Sequence, residues 1–172
     1  PVVSFGIQEE GGTIKTAALA VEAARKMVEE ASKQQKVECD ASDLFVAIEC
    51  GGSDATSGIA SNPAVGNMAD RIYDLGGTTM MSETVEFIGA EHVLAKRGET
   101  PEIHDQIIRI CEDYEKHLAL AGQDCRTGHP TPCNKVGGLS TIEEKSLGCI
   151  HKGGTRPVSE VLQEAARPTK KG

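Results

Sequence analysis

The chain has 172 residues, 38% hydrophobic, 26% charged and 3% aromatic with no Trp, which suits one domain with a core of Ala, Val, Ile, Leu and Met and excludes disorder throughout. Its net charge of -8, with no basic stripe interleaved with aromatics, excludes a nucleic-acid binder. No apolar run reaches bilayer length and no leader is visible, so a cytoplasmic location away from membranes is expected, with the natural start before Pro1 missing or processed.

In chain order, Gly11-Gly12 break the chain and Thr13 is the expected cap of a helix over residues 14–31. Its stripe is Ile14, Ala17, Ala18, Val21, Ala24 and Val28, and Glu22 and Lys26 form an i,i+4 pair. Residues 44–48 are an unbroken apolar run, too short for a helix and suited to a strand covered on both faces of a parallel sheet. A helix is expected from Ser61 (cap) and Pro63 (first turn) with the stripe Val65, Met68, Ala69, Ile72 and Leu75, stopped at Gly76-Gly77. Residues 78–82 read as a second buried strand, and residues 2–5 are a candidate third.

A less regular helix is expected over 85–96 and a clearer one over 101–121, capped by Thr100 and striped by Ile103, Ile107, Ile110, Tyr114 and Leu118. A long irregular stretch follows to residue 140. Then comes a short helix, with Ser140-x-x-Glu143 or Thr141-x-x-Glu144 as its capping box, and a last helix over 157–166. The alternation predicts an α/β fold with a partial Rossmann-like parallel sheet and flanking helices. The expected organisation is a helical lead-in over 1–40 and an α/β part over 41–172 with a long Gly-rich loop at 122–141. Few strands and an end just after a helix suggest a piece of a larger catalytic region.

Ligands of open parallel sheets bind outside the carboxyl ends of the strands. Here the two expected strands run into Cys50-Gly-Gly-Ser53-Asp54 and Ser82-Glu83. Cys50, Asp54 and Glu83 supply thiolate and carboxylate donors for a divalent metal. The same residues also suit a plain turn with a buried thiol. A second constellation runs from His129-Pro-Thr-Pro-Cys133-Asn134-Lys135-Val-Gly137-Gly138 through Ser140-Thr141 to Lys145. A helix start there can hold a carboxylate, and Lys135 or Lys145 can pair with one or act as a base. It reads equally as a surface loop before a capped helix. His92 is a candidate ligand or a structural histidine, while His104 and His117 fall on the polar side of their helix.

The six cysteines, Cys39, Cys50, Cys111, Cys125, Cys133 and Cys149, form no CxxC pair and read as free thiols. Cys125, Cys133 and Cys149 match no ferredoxin spacing, so an Fe–S cluster is not expected. Gly11-Gly12 and Gly76-Gly77 lack the spacing of phosphate loops.

Through Gln8-Glu-Glu-Gly-Gly-Thr13, Cys50-Gly-Gly-Ser-Asp54, Ser57-Gly58, Asn62-Pro-Ala64, Gly76-Gly-Thr78, Ser82-Glu83, Gly89-Ala-Glu-His92, Asn134-Lys135, Gly137-Gly-Leu139, Glu144-Lys-Ser-Leu-Gly148 and Lys152-Gly-Gly154, the chain resembles the bacterial altronate/galactarate dehydratase family. The likeness runs in order over nearly the whole chain. It implies iron(II)-dependent dehydration of a sugar acid to a 2-keto-3-deoxy acid, with another divalent metal as an alternative, in a cytoplasmic homodimer. It also implies that the chain is the middle of a longer catalytic part, inactive without its flanking domains. On this resemblance Cys50 and Asp54 are expected metal ligands, joined by Glu83 or His92. The catalytic candidates are Lys135, Lys145, Glu83 and His92, and the substrate-binding candidates are Ser53, Asn134, Thr141, Gly137 and Gly138. Pro132-Cys133-Asn134 departs from the family's more usual Pro-Gly-Asn. A related branch releases sulfite from sulfolactate by the same β-elimination logic. A non-catalytic dimerisation or binding segment of such an enzyme is the remaining reading.

Overall fold

Gly11 and Gly12 turn the chain at φ of 86° and 109°, a region costly for residues with a Cβ, and so launch α1 (Thr13–Ser32). The computed structural model describes residues 2–172. They fall into two units, Pro1–Cys39 and Asp40–Gly172.

In the first unit Gly12, not Thr13, is the N-cap of α1, and no side chain caps the helix. Thr13 is already helical, and Thr16 donates its hydroxyl to Gly12 O at 3.0 Å. The Glu22–Lys26 pair forms at 3.1 Å. α1 contains no buried residue, so its apolar stripe is exposed, Ile14 at 90%. Residues 2–5 form no strand, which removes the candidate third strand.

The second unit is mixed α/β. β1 (Phe45–Ile48), α2 (Ser61–Asp74) and β2 (Thr78–Met81) make a strand–helix–strand unit. The strands are parallel, in the register Phe45↔Thr78 to Ile48↔Met81. Parallel neighbours need a crossover of this kind. The glycine turn before β2 is sterically required, because a Cβ on Gly77 would lie 2.7 Å from Ile72 Cγ2. The sheet has two strands, and no further strand among the described residues extends it toward a Rossmann-like arrangement.

α2 buries Asn62, Gly66, Ala69 and Ile72, whereas Met68 and Leu75, expected in its buried stripe, are 37% and 59% exposed. The rotation has a cause that hydrophobicity does not register. At Gly66 the helix backbone packs directly on the turn at 151–154, where a Cβ would overlap His151 O. Asp70, one turn on, accepts from Thr155 N at 2.7 Å, Thr155 Oγ1 at 2.8 Å and Arg156 N at 3.2 Å. Arg97 closes the other side, donating to Gly153 O at 2.6 Å and to Arg156 O at 2.7 Å.

The expected helix over 85–96 is broken into a 3-10 turn at Thr84–Glu86, α3 (Glu91–Leu94) and a 3-10 turn at Ala95–Arg97. Gly89, at φ 92°, interrupts it. α4 (Pro101–Leu120) starts as expected, with Thr100 Oγ1 accepting from Ile103 N at 3.3 Å. Its Ile103, Ile107 and Cys111 join Val85, Phe87, Ile88, Leu94, Ile142 and Ile150 in the core. The stretch expected to be irregular contains α5 (Cys125–Gly128) and α6 (Pro132–Val136), before α7 (Ile142–Cys149).

The helix expected over 157–166 does not form. Val158 instead donates to Arg97 O at 2.8 Å and accepts from Glu99 N at 2.9 Å, a parallel bridge opposite Gly98. Backbone groups committed across the chain cannot also close helical turns. No helix of the described residues is long and apolar enough to cross a membrane.

Candidate functional site

The two strands deliver their chemistry to one place. Cys50 follows β1 and Glu83 follows β2, and Cys50 N donates to the Glu83 carboxylate at 3.2 Å. Glu86 comes from the 3-10 turn just beyond. One ligand atom from each of Cys50, Glu83 and Glu86 lies within 4.8 Å of the others. Burial, with the hydrogen bond and charge of Glu83 and the charge of Glu86, pushes the Cys50 thiol up to about 11, against the opposing pull of Lys145. Without a cation the thiol therefore keeps its proton near neutrality. A divalent cation bound there would displace it. A thiolate with two carboxylates suits a borderline ion such as iron(II).

Glu86 is 1% exposed and binds Lys152, itself 4% exposed, through both carboxylate oxygens. Each ion cancels a burial cost that would be severe alone. Cys149 lies against the same carboxylate, its thiol pushed up to about 12 by burial and then by Glu86. Its sulfur is 3.9 Å from Ser53 Oγ.

The loop after β1 is held from two sides. Within it, Asp54 Oδ1 accepts from Thr56 Oγ1 at 2.7 Å, Thr56 N at 2.8 Å, Ser57 N at 2.9 Å and Ser57 Oγ at 3.1 Å. These bonds, those of the Thr56 and Ser57 hydroxyls foremost, hold the Asp54 carboxyl below its usual range. Asp54 therefore sits in its own turn, outside the three-donor cluster. From outside, Asn134 donates Nδ2 to Ser53 O at 2.8 Å. Its Oδ1 accepts from Thr131 N at 3.1 Å and Thr131 Oγ1 at 2.8 Å, completing the capping box of α6. Ala55 N donates to Gly137 O at 3.0 Å, and a Cβ on Gly137 would stand 2.8 Å from Asp54 Cβ. Farther along, Gly58 meets Gly148 backbone to backbone, and Asn62 donates to Gly148 O at 3.0 Å. The two constellations separated in the sequence are one packed unit.

The remaining candidates are spread unevenly. Lys145 is 5% exposed, on α7 beside Ser146, whose hydroxyl donates to Ile88 O at 2.7 Å. Thr141 caps α7, accepting from Glu144 N at 3.2 Å. The Glu144 carboxylate reaches Ser140 N at 2.7 Å rather than Thr141. Gly138, at φ 99°, is in the region that favours glycine. Lys135 and His92 are exposed, on α6 and α3. Glu86, Cys149 and Lys152 were absent from the sequence-derived set. The signal for Glu86 was available, since a charged residue inside the apolar run Val85–Ile88 needs a buried partner.

A cavity of about 770 Å³ lies at the other side of β2, walled by residues such as Met80, Ile110, Tyr114 and Val161. Its lining includes none of Cys50, Glu83, Glu86 and Lys145. The cavity and the donor cluster are thus separate places, and the donor cluster is the candidate site.

Residues 41–172 match the family model described as D-galactarate/altronate dehydratase, C-terminal. The chain is 40% identical over 149 residues to galactarate dehydratase (L-threo-forming) of Escherichia coli K12, covering 87% of this chain and 28% of that protein. It is 40% identical over 177 aligned positions to the (2R)-sulfolactate sulfo-lyase subunit beta of Chromohalobacter salexigens, covering 100% of this chain and 44% of that protein. To altronate dehydratase of Bacillus subtilis 168 it is 39% identical over 139 residues, covering 80% of this chain and 28% of that protein. The chain thus spans less than half the length of each of these relatives.

Proposed function

Because the chain belongs to the D-galactarate/altronate dehydratase family, we propose that it forms the metal-holding part of a lyase that removes water from a hydroxylated sugar acid to give a 2-keto-3-deoxy acid. The observation that carries this reading is the convergence of Cys50, Glu83 and Glu86 at the ends of two parallel strands. Those three residues would hold the metal, with iron(II) as the ion. The chemistry supplied by an ion bound there is stabilisation of the negative charge that builds on the substrate carboxylate when the adjacent C–H loses its proton.

The protein's own part is to position and to move protons. The proton beside the carboxylate is removed by a base, and the neighbouring hydroxyl leaves with a proton from an acid. The enol that results relaxes to the keto acid. Glu83, Lys145, Lys135 and His92 are the groups able to serve. Glu83 is fixed by the Cys50 amide, whereas the exposed Lys135 and His92 would reach substrate only from the solvent side. Ser53, held through its carbonyl by Asn134, would meet a substrate hydroxyl. Asn134 and Thr141 would act by fixing the loop and α7, and Gly137 and Gly138 by allowing close backbone approach.

Anaerobic iron analysis tests the site. Wild-type protein is expected to bind iron stoichiometrically, Cys50→Ala and Glu83→Gln to lose it, and Asp54→Asn to keep it while loosening the loop. Full iron in Cys50→Ala would sink the assignment. A second reading, elimination of sulfite from sulfolactate, is favoured by the likeness to the sulfo-lyase subunit over 100% of this chain. Assaying sulfite against keto acid with each substrate separates the two.

A further inference from the structure

Lys145 and Lys152 are almost equally buried, at 5% and 4% exposure, yet of the two only Lys152 has a partner among the described residues. Its ammonium meets Glu86, whereas Lys145 Nζ has no hydrogen bond and no carboxylate within 4.0 Å among the described residues. Among those residues Arg156 Nε is the only fully buried side-chain nitrogen or oxygen without a partner. The Lys145 ammonium is therefore not sealed in: its stem is covered and its tip opens on accessible space. Lys145 and Cys149 stand one turn apart on α7, and Cys149 Sγ lies 3.9 Å from Ser53 Oγ in the loop after β1, so Lys145 is on the helix face that meets the loop carrying Cys50; its charge is also felt by the Cys50 thiol. The Thr141 cap and the Ser146–Ile88 hydrogen bond fix the helix that carries it. An ammonium whose stem is covered and whose tip reaches accessible space beside no protein anion is available to pair with an anion from outside. A ligand carboxylate would supply that anion.

We infer that Lys145 anchors the carboxylate of the substrate, setting the carbon next to that carboxylate against the metal-donor cluster. This rests on the lyase reading of the site and narrows it. The site requires a free carboxylate, and neutral polyols of the same length are excluded. Of the two lysines in the loop-and-helix constellation, Lys145 takes this role because Lys135 stands in solvent, where ion pairs contribute little.

The test measures binding to metal-free protein, where no turnover occurs. Calorimetry is run with galactarate, altronate, sulfolactate and the neutral polyol galactitol. At least one acid is expected to bind and galactitol not to bind. Lys145→Met is expected to weaken the acid at least tenfold, and Lys145→Arg to recover part of the loss, with unchanged circular dichroism and iron uptake. In iron-loaded protein Lys145→Met is expected to raise KM more than it lowers kcat. Unchanged affinity in Lys145→Met, equal binding of acid and polyol, or no acid bound by the wild type would each overturn the inference. If Lys145→Met does not fold, Lys145→Gln is read in the same way. Acid binding that depends on Lys145, with no water or sulfite released by an iron-loaded full-length enzyme that contains this segment, would refute the lyase reading and leave the anchor standing.

Discussion

The start of α7 and the turn that follows it treat the same problem in opposite ways. Both bury a lysine. In the turn, Lys152 is matched by Glu86 inside the protein, so the charge serves the fold. On α7, Lys145 is buried to a similar degree and has no anion beside it among the described residues. A paired buried ion is costly to break, whereas a lysine whose stem is covered and whose tip reaches accessible space keeps its charge available to a ligand.

The comparison is most easily broken by truncating each lysine. Lys152→Met strands Glu86 in the core, and unfolding in urea is expected to show a loss of about 3–5 kcal/mol. Adding Glu86→Gln should return part of it. If Lys152→Met were neutral, the pair would not hold the turn. Gly66→Ala should come next. Its methyl group would collide with His151 O and push away the turn that carries Lys152, at about 1–3 kcal/mol.

A smaller effect is expected from pH. Asp70 is lowered from its usual 3.8, because hydrogen bonds from Thr155 and Arg156 and the Arg156 charge outweigh the desolvation that raises it. A depressed folded value means that the stabilisation is complete above the unfolded value and fades as pH falls through the folded one. Acid unfolding below about pH 4 should therefore be less steep in Asp70→Asn than in the wild type. Last, Lys145→Met should change stability by no more than about 1 kcal/mol, with a gain more consistent than a loss. A loss as large as that of Lys152→Met would mean that Lys145 has a structural partner after all.

Much of the fold was legible because it is local. The apolar run before Cys50, the Gly76-Gly77 turn and the Thr100-Pro101 helix start each depend on residues close in sequence, and each forms, although β1 exposes Phe45 and Ala47 and so is covered on one face rather than both. The helix over 157–166 failed because Val158 pairs with the backbone at 97–99, a partner that helical periodicity does not report. The stripe of α2 was misplaced because Gly66, which contributes nothing to hydrophobicity, makes its closest contact. Cys50 and Glu83 could be singled out because strand ends in parallel sheets are where ligands bind. Glu86 was passed over because its partner, Lys152, lies on a different element.

The sequence by itself determined the family, the parallel strand–helix–strand unit and the donor types at its edge, since motif, periodicity and residue chemistry are properties of neighbouring residues. Only the tertiary structure decided which donors meet, that Asp54 serves its own turn, and that one buried lysine is paired while another has no partner among the described residues. Those outcomes depend on distances between segments far apart in the chain. Burial amplifies electrostatic differences of that kind, and no local pattern encodes them.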